Sequence, residues 1–178
     1  RSYGFLGQRI LPAACFQVQP MTGKSQPAEK ERSGSKRIRI LLVDDHNILR
    51  AGVRGLIERQ PDLEVVGEAE DGRTAVQLSR KLTPDVVLMD ISMQDLNGIE
   101  ATRQITGDAP RTKVIILSMH SGQRFVADVF KAGASGYLLK DCDFGEIISA
   151  VRAVAANETY LCPQIATVLR NDYLQRIL

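Results

Sequence analysis

The sequence predicts an α/β domain of the doubly wound kind, in which helices cover both faces of a parallel sheet. Three observations lead to this prediction: short continuous apolar runs, segments of helical period between them, and polar residues where the runs end. Continuous apolar runs are typical of strands buried on both faces, as in parallel sheets. Five alternations of strand and helix favour this architecture over segregated strands and helices. The predicted strands are residues 38–43, 63–66, 86–89, 114–117 and 137–139.

Apolar residues recur at helical spacing in the segments that follow these strands. The clearest helix follows the fifth strand, where Asp143 and Glu146 have the spacing of a capping box. The apolar positions are Leu49, Val53 and Leu56 in the first helix, Ala75 and Leu78 in the second, Phe125, Val129 and Phe130 in the fourth, and Phe144, Ile147, Ile148, Val151 and Val154 in the fifth.

The two ends of the chain differ from its centre. Residues 1–35 have no periodic pattern, and we interpret them as a disordered leader. Alternatively, they are a product of cloning or of translation from an upstream start, in which case Met21 is a possible internal start. Residues 36–157 form the predicted domain. Residues 158–178 are predicted to form a linker helix behind Pro163, which either packs on its own domain or supports dimer contacts. Its apolar positions are Ile165, Val168, Leu169, Tyr173 and Ile177.

Composition excludes several classes of function. Hydrophobic residues make up 44% of the chain, which is enough for a buried core. The leader carries all of the excess basic charge, so the predicted domain is slightly acidic and has no dense basic run for nucleic acid. The cysteines, Cys15, Cys142 and Cys162, have no CxxC spacing, so neither a disulfide framework nor a zinc site is indicated. No stretch is typical of a signal peptide or membrane span, and we expect a cytoplasmic protein without a membrane partner.

Polar residues follow four of the predicted strands at the point where each strand ends. Asp44 and Asp45 follow the first, Asp90 the third, Ser118 the fourth and Lys140 the fifth. Each one alone would be a solvated residue at a strand end, but ligand sites of doubly wound sheets lie at this edge. Three carboxylates repel one another unless a hard cation lies among them, and Mg²⁺ is the usual choice beside phosphate. The three negative charges balance those of Mg²⁺ and the lysine, and such a site makes an aspartate a plausible acyl-phosphate nucleophile.

The motifs around these residues resemble a known family. The stretches LLVDDH, EAEDG, PDVVLMDISM, NGIEATR, VIILSMH and AGASGYLLKD resemble response-regulator receiver domains, and more narrowly the nitrate/nitrite and nitrogen-fixation regulators with a LuxR-type output. The resemblance covers residues 37–157 in order and spacing. It implies a flavodoxin-like (βα)5 fold with the strand order 2-1-3-4-5. It also implies a phosphorylation-dependent switch in two-component signalling.

The resemblance implies a metal site built on three aspartates. Asp90 would be the phospho-acceptor and also a ligand of Mg²⁺. Asp45 would bind the ion directly and Asp44 through water, while the main-chain carbonyl of Ser92 would complete the protein's share of the coordination. His46 follows the acidic pair, and we expect it to start a helix rather than to bind the ion, because Mg²⁺ prefers oxygen.

The resemblance also implies how the phosphoryl group is recognised and by whom it is delivered. Ser118 would hydrogen-bond the arriving group, Lys140 would pair with it, and Tyr137 would be the switch aromatic that turns inward. The donor would be a phosphohistidine on a sensor histidine kinase, and the output would be a change in association, including a homodimer. The helix-turn-helix domain of the subfamily is absent from this sequence, so we expect DNA binding by the full-length protein but no direct DNA binding by this chain.

Two alternatives compete with a phosphorylated switch. A phosphatase of the haloacid dehalogenase type also uses an aspartate and Mg²⁺, but it needs a second aspartate two residues later, where this chain has Ser92. A receiver-like module that is never phosphorylated is disfavoured by the intact set of polar residues. Two positions are unusual: Gln94 replaces a common proline, and Met119 is bulky beside Ser118. We expect Met119 to narrow the path of attacking water and to slow loss of the phosphoryl group.

Overall fold

The computed structural model describes residues 36–177, and these form a parallel sheet with helices on its faces. The predicted doubly wound α/β fold is therefore confirmed, as is the order 2-1-3-4-5, to which a sixth strand is added. The strands are β1 Ile38–Val43, β2 Leu63–Ala69, β3 Val86–Asp90, β4 Lys113–Ser118, β5 Gly136–Leu139 and β6 Tyr160–Leu161. The helices are α1 Asn47–Ile57, α2 Gly72–Leu82, α3 Gly98–Asp108, α4 Gln123–Lys131, α5 Phe144–Ala155 and α6 Pro163–Ile177.

The apolar pattern predicts the bounds of a strand most closely where the strand is buried. Every residue of β3 and β5 is buried, and the central β1 and β4 are buried along most of their length. The edge strand β2 runs three residues beyond its predicted end, because Gly67 and Glu68 continue the pairing with β1. Polar residues are tolerated there because β2 has a neighbouring strand on one side only.

The sequence did not predict β6, which extends the sheet beside β5. Tyr160 N donates to the carbonyl of Ser135 (3.1 Å), and Cys162 N donates to the carbonyl of Tyr137 (3.1 Å). The helix that follows begins at Pro163, as expected. Both cysteines of the described region are free thiols.

The start of α6 packs on its own domain, whereas its end is open. Ile165 is fully buried and Leu169 packs against the core. Tyr173, Leu174 and Ile177 are exposed. Intramolecular packing thus accounts for the first turns, and dimer contacts through the exposed end stay a prediction. The expectation for residues 1–35 falls outside the described part of the chain.

Side chains cap three helices that begin near the carboxyl edge of the sheet. Asp71 accepts from Thr74 N (2.8 Å) at the start of α2. Hydrogen bonds from Thr74 lower the pKa of the Asp71 carboxyl group. Asp143 caps α5 as predicted, but its carboxylate accepts from Gly145 N rather than from Glu146 N. None of the described helices is both long and apolar enough to span a bilayer.

Candidate functional site

Lys140 lies at the centre of the polar cluster at the carboxyl edge of the sheet. Its Nζ is 2.9 Å from Asp44 Oδ2 and 2.8 Å from Asp90 Oδ2, and its side chain is only 10% exposed. Burial disfavours the charged ammonium, but hydrogen bonds to Asp90 and Asp44 outweigh that cost, so the pKa of Lys140 is raised. The lysine that follows β5 therefore joins the aspartates that follow β1 and end β3.

The loop between β1 and α1 brings a third carboxylate and a histidine to the same place. Asp44 Oδ1 accepts from the main-chain N of His46 (2.8 Å). His46 Nδ1 lies 3.1 Å from Asp44 Oδ1 and 2.7 Å from Asp45 Oδ1. His46 is also the residue before the first turn of α1, as expected for a helix start, although its side chain makes no capping bond.

The donor set fits a divalent cation. Ligand atoms of Asp44, Asp45, His46 and Asp90 all lie within 4.8 Å of one another. Two carboxylate oxygens are buried in this cluster: Asp45 Oδ1 has no hydrogen-bond donor in the described part of the chain, and Asp90 Oδ2 lies 2.8 Å from Lys140 Nζ. Buried anionic oxygens without donors are costly, and a cation among them would remove that cost. The ion pair between Asp90 and Lys140 offsets one of these charges only.

Asp90 is the most buried of the three carboxylates. It ends β3, is fully buried, and accepts from Ser92 N through Oδ1 (3.1 Å). The loop that follows includes Gln94, which is exposed, and Asp95, whose φ of 66° lies in the left-handed region that aspartate tolerates better than most residues. Gln94, which replaces a common proline, thus lies on the solvent side of the loop, away from the buried Asp90.

Gly98, the first residue of α3, lets the helix approach the end of β3 closely. A Cβ at this position would lie 2.1 Å from the carbonyl oxygen of Asp90 and 2.8 Å from the Cα of Ile91. Both contacts are with backbone, so a side chain can be accommodated only if the Asp90 loop moves. The absence of a side chain at Gly98 therefore allows α3 to pack directly against the backbone of Asp90, which fixes the position of Asp90.

We expect Gly98→Ala to lower the free energy of unfolding by about 3 kcal/mol, because overpacking against backbone is not relieved by side-chain motion. Chemical denaturation followed by circular dichroism measures this change. Gly107→Ala, in the same helix, is the matched control: its Cβ would meet nothing within 4 Å, and we expect a gain of about 0.5 kcal/mol. Equal effects of the two substitutions would contradict the close approach at Gly98.

Ser118 and Tyr137 connect the site to the loop after β4. Ser118 is fully buried; its Oγ accepts from His120 N (2.9 Å) and its carbonyl accepts from Lys140 N (2.8 Å). The hydroxyl of Tyr137 donates to the carbonyl of His120 (2.6 Å). Tyr137 is fully buried, and this burial raises the pKa of its phenol. The ring therefore lies inward and is tied to the loop that leaves Ser118.

Arg50 supports the acidic loop and was not singled out from the sequence. Its Nε donates to Glu68 Oε2 (2.9 Å) on β2, and a second nitrogen donates to the main-chain carbonyl of Asp44. A third donates to Asn47 Oδ1 (2.7 Å), and the side chain is only 11% exposed. An arginine on a helix is usually solvated, so no local pattern could have indicated this role.

An apolar groove opens beside the acidic cluster. Its volume is about 730 Å³, and its rim includes three exposed hydrophobic side chains from different loops and helix starts. These are Ile48 on α1 (91% exposed), Met119 after β4 (70%) and Phe144 on α5 (51%). Exposed apolar side chains that converge on one groove are typical of a docking surface. The lining also includes Ser92 and Lys140.

The chain is similar to known proteins along most of its described length. Residues 40–152 match the family described as the response regulator receiver domain. The transcriptional regulatory protein DegU of Brevibacillus brevis is 43% identical over 143 residues, which cover 80% of this chain and 61% of DegU. The transcriptional regulatory protein LiaR of Bacillus subtilis is 44% identical over 129 residues, which cover 72% of this chain and 61% of LiaR. This chain spans about three fifths of the length of these relatives.

Comparison with solved structures shows similarity to the same class of protein as the comparison of sequences. A LuxR-family two-component response regulator from Aurantimonas superposes with a TM-score of 0.75 at 42% identity, over 78% of this chain and 99% of that one. The signal receiver domain of NarL from Mycobacterium tuberculosis superposes with a TM-score of 0.66 at 33% identity, over 68% of this chain and 98% of that one.

Proposed function

The chain belongs to the receiver-domain family of two-component response regulators, and from that premise we propose that Asp90 is its phospho-acceptor. Members of this family are signalling switches rather than classical enzymes. The observation that carries the assignment is the full burial of Asp90 with its Oδ2 only 2.8 Å from the ammonium of Lys140. Of the carboxylates in the cluster, only Asp90 is fully buried at the end of a central strand.

The chemistry that we propose is an in-line phosphoryl transfer. A carboxylate oxygen of Asp90 forms the new bond to phosphorus while the bond from phosphorus to the imidazole nitrogen of the donor histidine breaks, and the imidazole leaves with the electron pair. The ammonium of Lys140 offsets negative charge on the transferring oxygens. Ser118, whose main-chain carbonyl accepts from Lys140 N, supplies a hydroxyl for the arriving group.

The residues present fit a Mg²⁺ ion, and we propose that Asp45, Asp44, Asp90 and the main-chain carbonyl of Ser92 hold it. When bound, Mg²⁺ would supply positive charge for the phosphoryl oxygens. The buried Asp45 Oδ1, to which no described residue donates a hydrogen bond, supports this assignment. Arg50 holds the main chain of Asp44, and so it positions the acidic pair on which the ion would depend.

The test of this function is phosphorylation by a small phosphodonor. We expect the chain, incubated with acetyl phosphate and Mg²⁺, to gain the mass of one phosphoryl group, as measured by intact mass spectrometry. Addition of a chelator is expected to abolish the gain, because three carboxylates repel an incoming phosphate when no cation offsets them. A mass gain that persists in excess chelator would contradict the cation-dependent site.

The output that we propose follows from the added charge. A phosphoryl group brings about −1.5 to −2 charges, which favours new hydrogen bonds from Ser118 and Lys140. The hydrogen bond from Tyr137 to His120 transmits the shift of this loop to α4 and β5. We propose that the surface of α4, β5 and α5 reports the change, through a homodimer or through an output domain that controls transcription, as the relatives' names indicate.

We propose that the partner is a sensor histidine kinase. We also propose that the protein acts in the cytoplasm. The apolar groove described above is lined in part by Ser92 and Lys140, which both contact Asp90, the residue that the phosphohistidine of the kinase has to reach. Ile48 is almost fully exposed at the groove's rim, so it contributes little to the core and is available to a partner. The residues that the structure describes carry no dense basic run, which disfavours direct DNA binding by this region.

We expect Ile48→Ser to lower kcat/KM for phosphotransfer from a sensor kinase by at least about tenfold, because a buried apolar anchor is lost from the complex. Phosphorylation by acetyl phosphate should be unchanged, because this donor needs no docking surface. Tyr173→Ser is the matched control, since Tyr173 is an exposed apolar residue on α6 that does not line the groove. Equal loss with both donors would assign Ile48 to the pocket rather than to docking.

We expect Met119→Ala to raise the rate of dephosphorylation by about three- to tenfold, because the side chain covers one approach of water to the acyl phosphate. Met119 is 70% exposed, so its loss should leave the free energy of unfolding unchanged. The decay of the phosphorylated mass after removal of the donor measures this rate. A decay rate equal to that of the wild type would remove the shielding role.

A further inference from the structure

His46 lies among the carboxylates of the proposed cation site, in a position that its role at the start of α1 does not require. Its side chain makes no capping hydrogen bond. Its ring nitrogen Nδ1 is 2.7 Å from Asp45 Oδ1 and 3.1 Å from Asp44 Oδ1. Neighbouring ligands of an octahedral ion with bonds of about 2.1 Å lie about 3 Å apart, and both distances are close to that value.

The ring nitrogen Nδ1 lies at hydrogen-bond distance from the Asp44 carboxylate, and a cation bound between the imidazole and the carboxylates would replace that contact. Asp44 Oδ1 already accepts from the main-chain N of His46, so it stays satisfied if the ring turns its lone pair elsewhere. Asp45 Oδ1 is buried and has no hydrogen-bond donor among residues 36–177, although the ring nitrogen is close. The fully buried Asp90 also directs Oδ2 into the cluster, where Lys140 Nζ lies 2.8 Å away. A cation shared by these atoms satisfies the carboxylates and the imidazole together.

We propose that His46 is a nitrogen ligand of the cation site and that it determines which ions the site prefers. This proposal rests on the cation site proposed above. Carboxylates and main-chain carbonyls suit Mg²⁺, whereas an imidazole adds affinity for ions later in the first transition series, such as Co²⁺. The expectation from sequence, that a histidine here only starts the helix, then describes half of its role. The side chain is 66% exposed, so an ion can reach it from solvent.

The test uses Mn²⁺ as a paramagnetic substitute, bound to the untagged chain and observed by pulsed electron paramagnetic resonance. We expect a ¹⁴N coupling from a directly bound imidazole in the wild type and its loss in His46→Asn. Asparagine favours a helix start, so the substitution keeps α1 while it removes the ring nitrogen. The chain has one other histidine, and the control His120→Asn should keep the coupling.

Calorimetric titration provides a second measurement. We expect His46→Asn to lower the affinity for Co²⁺ by about tenfold or more and to change the affinity for Mg²⁺ by less than about threefold. Equal losses for both ions would mean that the histidine shapes the loop without binding the ion, which overturns the proposal. Mn²⁺ bound without a ¹⁴N coupling would also overturn it but would leave the cation site standing. Failure of the wild type to bind any of these ions would overturn both.

Discussion

Asp90→Asn is expected to abolish phosphorylation completely, in the presence of acetyl phosphate and Mg²⁺ as well as with a sensor kinase. The amide has the shape of the carboxylate and keeps an oxygen to accept from Ser92 N, so the loop after β3 should be retained. It lacks the charge and the nucleophilic oxygen that form the acyl phosphate. The expected result is therefore a folded protein that gains no mass, whereas the wild type gains one phosphoryl group.

A second aspartate provides the control for Asp90. Asp71 also follows a strand and precedes a helix, but its carboxylate caps α2 through Thr74 and is not part of the cluster. Because asparagine caps helices as well as aspartate does, Asp71→Asn should fold and should be phosphorylated at the wild-type rate. A metal-dependent mass gain that survives in Asp90→Asn and Asp90→Ala would place the acceptor elsewhere. Cys142 is a poor alternative, because burial raises the pKa of its thiol to about 11.

Lys140→Met is expected to lower the rate of phosphorylation by about 10²- to 10³-fold, because the variant loses a charge that stabilises the transferring oxygens. It should also lower the free energy of unfolding by about 2–3 kcal/mol without metal, since removing one partner leaves Asp44 and Asp90 facing each other in a buried place. Saturating Mg²⁺ should restore most of this stability, because the ion takes over the neutralisation. Denaturation with and without Mg²⁺ measures both effects.

The matched control for Lys140 is a lysine whose ion pair is exposed. Lys131 pairs with Asp128 on α4, and its side chain is 76% exposed. Exposed pairs contribute between zero and about 1 kcal/mol, so Lys131→Met should change neither phosphorylation nor the dependence of stability on Mg²⁺. If Lys140→Met were as stable as wild type without Mg²⁺, the ammonium would not be what holds the acidic cluster together.

The sequence by itself determined the fold and the candidate site residues. The strands β1, β3, β4 and β5 appear as apolar runs because both of their faces are covered, and that pattern needs no knowledge of contacts. The polar residues follow from the same reasoning, since carboxyl ends of parallel strands meet at one edge. Asp44, Asp90 and Lys140 were assigned to one site in this way, and the structure brings both aspartates within hydrogen-bond distance of Lys140.

Only the tertiary structure decided how the site and the end of the chain are completed. The strand β6 is two residues long, too short for any period, and it exists because β5 offers an unpaired edge. The contacts of Arg50 with Glu68 and of His46 Nδ1 with Asp45 depend on loop backbone and on side-chain rotamers. Pattern determines which residues are buried, whereas the pairing of polar atoms within a buried place depends on distances of a few tenths of an ångström.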